Sequence, residues 1–321
     1  MIVGLAAATA VAAVVGVTLL QTRGESTTPV GAVTSPRPGT PPLELDFGVR
    51  SDAEAGALAR AQTAYNKGHV AEAAAVFGRY HSLQAQIGSA FAAWRDGHGL
   101  DSLKSIVAAH PRSALAELHL GWAYYWSGRN ADAVVAWQRA SQLQPDSPYA
   151  VDALDALHPS DIPGLPPIVT TLTLPGSDSS LSAAGQLARL RTAAGSPGAG
   201  ARQKILYGLA LWNLRRPSSA ERQFAAAARL APGDPVARTA AAVGAYSKAD
   251  PVRAFARLGP LTGRFPASPV VRFHLGLLLL WDGQRKKAAA QLRDAIADGP
   301  QTVYAKNAKV LLVSLAKNGT R

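Results

Sequence analysis

The chain has no cysteine in its 321 residues. Disulfides, thiolate nucleophiles, cysteine-ligated metals and a lipid-bearing cysteine are thereby excluded, while the choice of compartment stays open. Charge is also scarce, at 17% of residues against 48% hydrophobic. That composition and length suit one or two domains with a sizeable core. Catalytic motifs are missing as well. The histidines are His69, His81, His98, His110, His119, His158 and His274; no two stand four apart on a helix, and His119 and His274, at like positions just before the small residues Gly121 and Gly276, read as packed. There is no Gly-x-Ser-x-Gly elbow and no Walker-type phosphate loop. Gly97-His98-Gly99 reads as a turn, and Asp152 with Asp155 reads as a helix surface. The expectation is a non-enzyme with no catalytic residue, no cofactor and no metal.

What the sequence does have is a repeated joint. "PDSP" at 145–148, "PGDP" at 232–235 and "PASP" at 266–269 are versions of one Pro-x-x-Pro turn, and Pro232, Pro266 and Pro300 follow one another at 34-residue intervals. Twelve residues before these three prolines stand Ala220, Ala254 and Ala288, and eight before stand Phe224, Leu258 and Leu292. Twenty-four before stand the small residues Gly208, Ala242 and Gly276. Pro145 obeys the same ruler with Ala133, Trp137 and Gly121. Between the joints lie two helical patterns split by a turn at Gly128, Pro217, Asp250-Pro251 or Gly283, since glycine and proline punctuate helices. Neither helix of a pair buries its apolar stripe alone, so neighbours must stack. Proline suits the first turn of the next helix.

A 34-residue unit with small residues at these places resembles the tetratricopeptide repeat (TPR). Units at 201–234, 235–268 and 269–302 are contiguous, another fits at 114–147, and weaker ones begin near Glu54 and at about 80. The resemblance implies an all-α fold, a TPR-like α-solenoid of stacked antiparallel helix pairs. The expected order is a transmembrane anchor at 1–20, a Pro/Ser/Thr-rich linker at 21–50 and a first block at 51–157. An irregular Pro/Gly-rich insertion with one helix follows at 158–200, then a second block at 201–302 and a capping helix at 303–321.

Ile2–Leu20 is an uncharged, mostly apolar run of 19 residues. As a helix it spans about 28 Å, close to a ~30 Å hydrocarbon core. A basic n-region and a small-x-small cleavage site are both missing, which favours an uncleaved single-pass anchor over a signal peptide. The tether after it suggests a folded domain outside the cytoplasm at the cell membrane, although Arg23 and Arg37 vote for the inside. The stretch "HPSDIPGLPPIVTTLTLPGSDSS" (158–180) carries five prolines. It is either a spacer or a loop lying in the solenoid's concave groove.

Charge is unevenly placed. Residues 1–200 hold 13 Lys/Arg against 15 Asp/Glu, and residues 201–321 hold 20 against 6. Arg215, Arg216, Arg285, Lys286 and Lys287 cluster at turns within helix pairs and form a candidate patch for a polyanion or anionic membrane; nucleic acid is not the expected partner. The other candidate site comes from the resemblance, which implies that helix A lines the concave face. In this sequence that face carries Trp122, Tyr125, Trp126, Trp212, Tyr246, Phe273 and Trp281. The Lys and Asn of carboxylate-clamping TPR modules are replaced by Ile, Leu, Thr, Val and Phe, so such a clamp is not expected. The expected function is a membrane-tethered scaffold that binds a protein or peptide on its aromatic concave face, with the basic block as the alternative site. The rival reading of the aromatics is core packing, or cover by 158–180.

Overall fold

The computed structural model describes residues 36–94, 98–172 and 181–318. The expected anchor, the first part of the linker and residues 173–180 lie outside them. Every regular element among the described residues is a helix. No helix there is long and apolar enough to cross a membrane. The chain divides between Leu157 and His158 into two units.

The N-terminal unit holds three helix pairs and a closing helix. The pairs are α1 (Ala53–Asn66) with α2 (Val70–Phe77), α3 (Leu83–Ala92) with α4 (Gly99–Ala109), and α5 (Ala114–Trp126) with α6 (Asn130–Leu143); α7 (Pro148–Leu157) closes the unit. The C-terminal unit opens with α8 (Ala183–Gly195). Its pairs are α9 (Ala201–Asn213) with α10 (Pro217–Leu230), α11 (Pro235–Val243) with α12 (Val252–Leu258) and the short α13 (Leu261–Arg264), and α14 (Pro269–Trp281) with α15 (Arg285–Asp298). α16 (Val303–Asn318) closes it.

Local chemistry sets the boundaries. Asp52 and Ser113 accept N–H bonds from Ala55 and Ala116 at 2.9 and 3.2 Å, capping α1 and α5. Proline opens α7, α10, α11 and α14, where its missing N–H costs nothing. Gly128 and Gly283 turn the chain between helices of a pair at φ 77° and 72°. Arg215 makes the corresponding turn at φ 53°, the one described non-glycine residue in that region. The small positions of the ruler are contact points within a pair. A methyl group on Gly208 would sit 2.6 Å from the Phe224 ring, and one on Gly276 would sit 2.9 Å from Leu292.

The middle pair of the C-terminal unit departs from the sequence reading. Its first helix stops at Val243, with Gly244 as its C-cap packed so closely on the Phe224 ring that a side chain there would meet it at 2.5 Å. Tyr246 therefore falls in the turn after α11 instead of on a full-length helix A. The second helix breaks at Gly259-Pro260, since proline supplies no N–H to an interior turn.

Candidate functional site

Each unit carries an extended strap on the faces of its first helices. The N-terminal strap comprises residues 36–47, which the sequence reading assigned to the Pro/Ser/Thr-rich linker at 21–50. Leu43 and Leu45 are instead buried, and they join a core with Leu58, Phe77, Phe91 and Leu120. The strap's backbone is bonded by side chains. Tyr65 on α1 donates its hydroxyl to Pro41 O at 2.9 Å. Asn66 accepts from Leu43 N at 3.2 Å and donates to Leu43 O at 3.0 Å. Gln62 accepts from Leu45 N at 2.7 Å. On α5, His119 Nε2 accepts from Glu44 N at 3.2 Å. On α7, Tyr149 donates to Asp46 O at 3.0 Å. At the strap's start, Arg37 N donates to Trp126 O at 2.7 Å and the guanidinium stacks 3.6 Å from the Tyr125 ring centre.

The C-terminal strap comprises residues 160–172. Trp212 on α9 donates its indole N–H to Pro166 O at 2.9 Å. His274 Nε2 on α14 accepts from Val169 N at 2.9 Å. Ile162 and Val169 are buried in one core with Tyr246, Phe273, Leu277 and Trp281, and Leu165, Ile168 and Leu172 pack against the core around Trp212 and Phe224. Of the two readings of 158–180, cover of the helix faces holds for the described part. The described part of IVTTLTL, residues 168–172, forms no strand.

Hydrogen-bond logic fixes the state of both histidines. His119 Nδ1 lies 2.8 Å from Leu115 O, and His274 Nδ1 lies 2.7 Å from Val270 O. A carbonyl only accepts, so Nδ1 carries the proton; Nε2 receives a backbone N–H, so it is bare. Burial holds both imidazoles down to a pKa of about 4, with the bond to the helix carbonyl acting in the other direction. They are neutral acceptors at neutral pH.

The sequence-predicted aromatics divide by unit. Trp212, Tyr246, Phe273 and Trp281 are buried and not open to solvent; Trp212 bonds to Pro166 of the strap, and the other three share a core with its Ile162 and Val169. Trp122, Tyr125 and Trp126 are half-buried and form a T-shaped cluster with ring centres 5.7–6.2 Å apart. In the basic patch, Arg216, Arg285, Lys286 and Lys287 are exposed and Arg215 is partly so. Sequence reasoning missed the strap anchors Gln62, Tyr65, Asn66 and Tyr149. It placed His119 and His274 at like positions without finding what they hold. His69 and Glu72 stand three apart, 3.6 Å from each other and exposed. No group of three ligating side chains that could hold a metal occurs among the described residues.

Each unit is a run of helix pairs packed pair on pair, a TPR-like fold. No family model matches the chain, and no curated protein matches it. Among solved structures it is similar to the TPR2AB-domain:pHSP90 complex of yeast Sti1, at 12% identity over 82% of this chain and 98% of that chain, TM-score 0.32. A tetratricopeptide repeat protein from Parabacteroides merdae is similar at 13% identity over 80% and 98%, TM-score 0.32. A thermophilic TPR protein from Thermus thermophilus is similar at 16% identity over 81% and 100%, TM-score 0.25.

Proposed function

We propose that the protein is a non-enzymatic scaffold that binds a polypeptide partner on the helix-A faces of its repeat units. In this reading residues 1–20 tether it to the cell membrane with the folded part outside the cytoplasm. One observation carries it: both faces hold extended polypeptide through bonds from side chain to backbone, as between His274 and Val169 at 2.9 Å. Trp122, Tyr125 and Trp126 lie partly open beside the first strap and supply apolar anchors. The test is capture of a partner from membrane extracts by the full chain, with the bound proteins identified by mass spectrometry. Trp126→Ala with Tyr125→Ala should lower capture severalfold without lowering helix content. Unchanged capture by that folded variant would refute the reading.

A second reading has its own support. Arg285, Lys286 and Lys287 are exposed in the first turn of α15, where the helix dipole disfavours cations. Three cations kept at that end do not serve the helix, and they suit a polyanion or an anionic membrane surface. Salt separates the two readings, because polyanion binding weakens steeply as salt rises and apolar capture does not.

A further inference from the structure

The two straps are the same device written twice. Residues 37–47 read RPGTPPLELDF and residues 162–172 read IPGLPPIVTTL. Pro-Gly-x-Pro-Pro-aliphatic recurs at one offset, and Gly39 and Gly164 share the left-handed conformation at φ 82° and 78°. The contacts follow the same register. The first proline of the Pro-Pro pair, Pro41 or Pro166, gives its carbonyl to an aromatic donor near the end of the unit's first helix A, Tyr65 or Trp212, at 2.9 Å in each case. Three residues on, Glu44 or Val169 gives its N–H to the neutral histidine of the third helix A, at 3.2 and 2.9 Å. Two residues further, Asp46 meets Tyr149 of the closing helix. Thr171 meets Tyr304 at the equivalent place, although without a hydrogen bond of ordinary geometry among the described residues.

The receiving faces are duplicated too. His119-Leu120-Gly121 with Trp126, Gly128 and Tyr149 recurs as His274-Leu275-Gly276 with Trp281, Gly283 and Tyr304. The ion pair across the third helix pair keeps its place with its charges exchanged. Glu117 meets Arg139 at 3.0 Å in the first unit, and Arg272 meets Asp294 at 4.0 Å in the second. Surrounding residues have therefore diverged while the strap contacts have kept their register.

We propose that each unit is a receptor for an extended Pro-Gly-x-Pro-Pro-aliphatic segment, filled in cis by the chain's own strap, and that the partner is a polypeptide carrying that sequence. The proposal rests on the scaffold reading above and names its ligand. The recognition is suited to such a segment. Proline pairs hold the ligand extended before it binds. The aromatic donor reads a carbonyl and the neutral histidine reads an N–H three residues later, so the frame is set by backbone while the aliphatic side chain between, Leu43 or Ile168, packs against the core. The covalently attached strap acts at an effective concentration on the order of millimolar and keeps weaker sequences out.

Val169→Pro removes the N–H that His274 holds and loosens the second strap in the full chain. The probe is a fluorescein-labelled peptide, DIPGLPPIVTTL. We expect it to bind Val169→Pro at least tenfold more tightly than the unaltered chain, and to lose at least tenfold when both residues of its Pro-Pro pair are replaced by glycine. A folded Val169→Pro protein that ignores the peptide, or takes a shuffled one equally, overturns the proposal. Should Val169→Pro fail to fold, amide hydrogen exchange of the unaltered protein decides. Exchange at Val169 at least tenfold faster than at buried amides of α14 supports a strap that leaves its groove, and equal protection refutes it. Because this assay uses a defined peptide, its failure beside intact Trp126-dependent partner capture would sink the ligand assignment alone.

Discussion

His274 Nε2 accepts the backbone N–H of Val169 at 2.9 Å, across 105 residues of sequence. His119 and Glu44 repeat the arrangement across 75 residues at 3.2 Å. A side chain that can donate or accept is used here only as an acceptor, because its other nitrogen is committed to the helix carbonyl four residues back. The extended straps thus become part of the fold through polar bonds as well as apolar burial.

Acid should weaken this fold in a defined window. Both histidines have a folded pKa of about 4, against ~6.5 in the unfolded chain. Between those values the unfolded state binds more protons, so stability falls as pH falls from ~6.5 to ~4, by about 1.4 kcal/mol per pH unit for each histidine. Urea denaturation at pH 7 and pH 5 checks it. A midpoint that does not move, or that rises on acidification, contradicts the assignment of neutral buried imidazoles.

Arg215 turns between α9 and α10 at φ 53°, where the other turns of this kind use glycine. A side chain in that region costs on the order of 1 kcal/mol. Arg215→Gly should therefore raise stability by about 0.5–1 kcal/mol, part of the relief being offset by the flexibility of glycine in the unfolded chain. Thermal denaturation measures it, and a destabilised variant would mean that the arginine side chain contributes more than its backbone costs.

The charge-exchanged ion pairs give a third prediction. Glu117 is 1% exposed and its carboxyl is raised by burial, opposed by Arg139. Glu117→Arg alone should cost about 3 kcal/mol, since it sets two cations together with one buried. Adding Arg139→Asp rewrites the pair in the order of the second unit and should recover most of the loss. Failure to recover would show that the two units do not share this geometry.

The helix pairs were legible in the sequence because stacking forces a strict ruler: a small residue where helices touch, a large one beside it, and proline where a helix begins. Gly208 against Phe224 and Gly276 against Leu292 are that ruler in space. The first strap was not legible, and the second was only one of two readings of 158–180, for a physical reason. A Pro-Pro segment has neither helical nor strand periodicity and reads like a tether, and its burial depends on side chains such as Tyr65 and Trp212 that lie far along the chain. The same blindness made Trp212, Tyr246, Phe273 and Trp281 read as open anchors. The equivalence of His119 and His274 was visible, but an imidazole on an apolar helix does not announce which backbone amide it will accept. Tyr246 was misplaced because its helix stops at Val243, short of the length its neighbours in the ruler reach.

The central claim is that both straps are pinned by neutral histidines, and the side-chain nitrogens report it directly. Nitrogen-detected NMR of the full chain at pH 7 should show two of the histidines in the Nδ1–H form, with Nε2 accepting a hydrogen bond, and unchanged down to pH 5. Two imidazoles that instead titrate near 6.5, or that carry their proton on Nε2, would contradict the account.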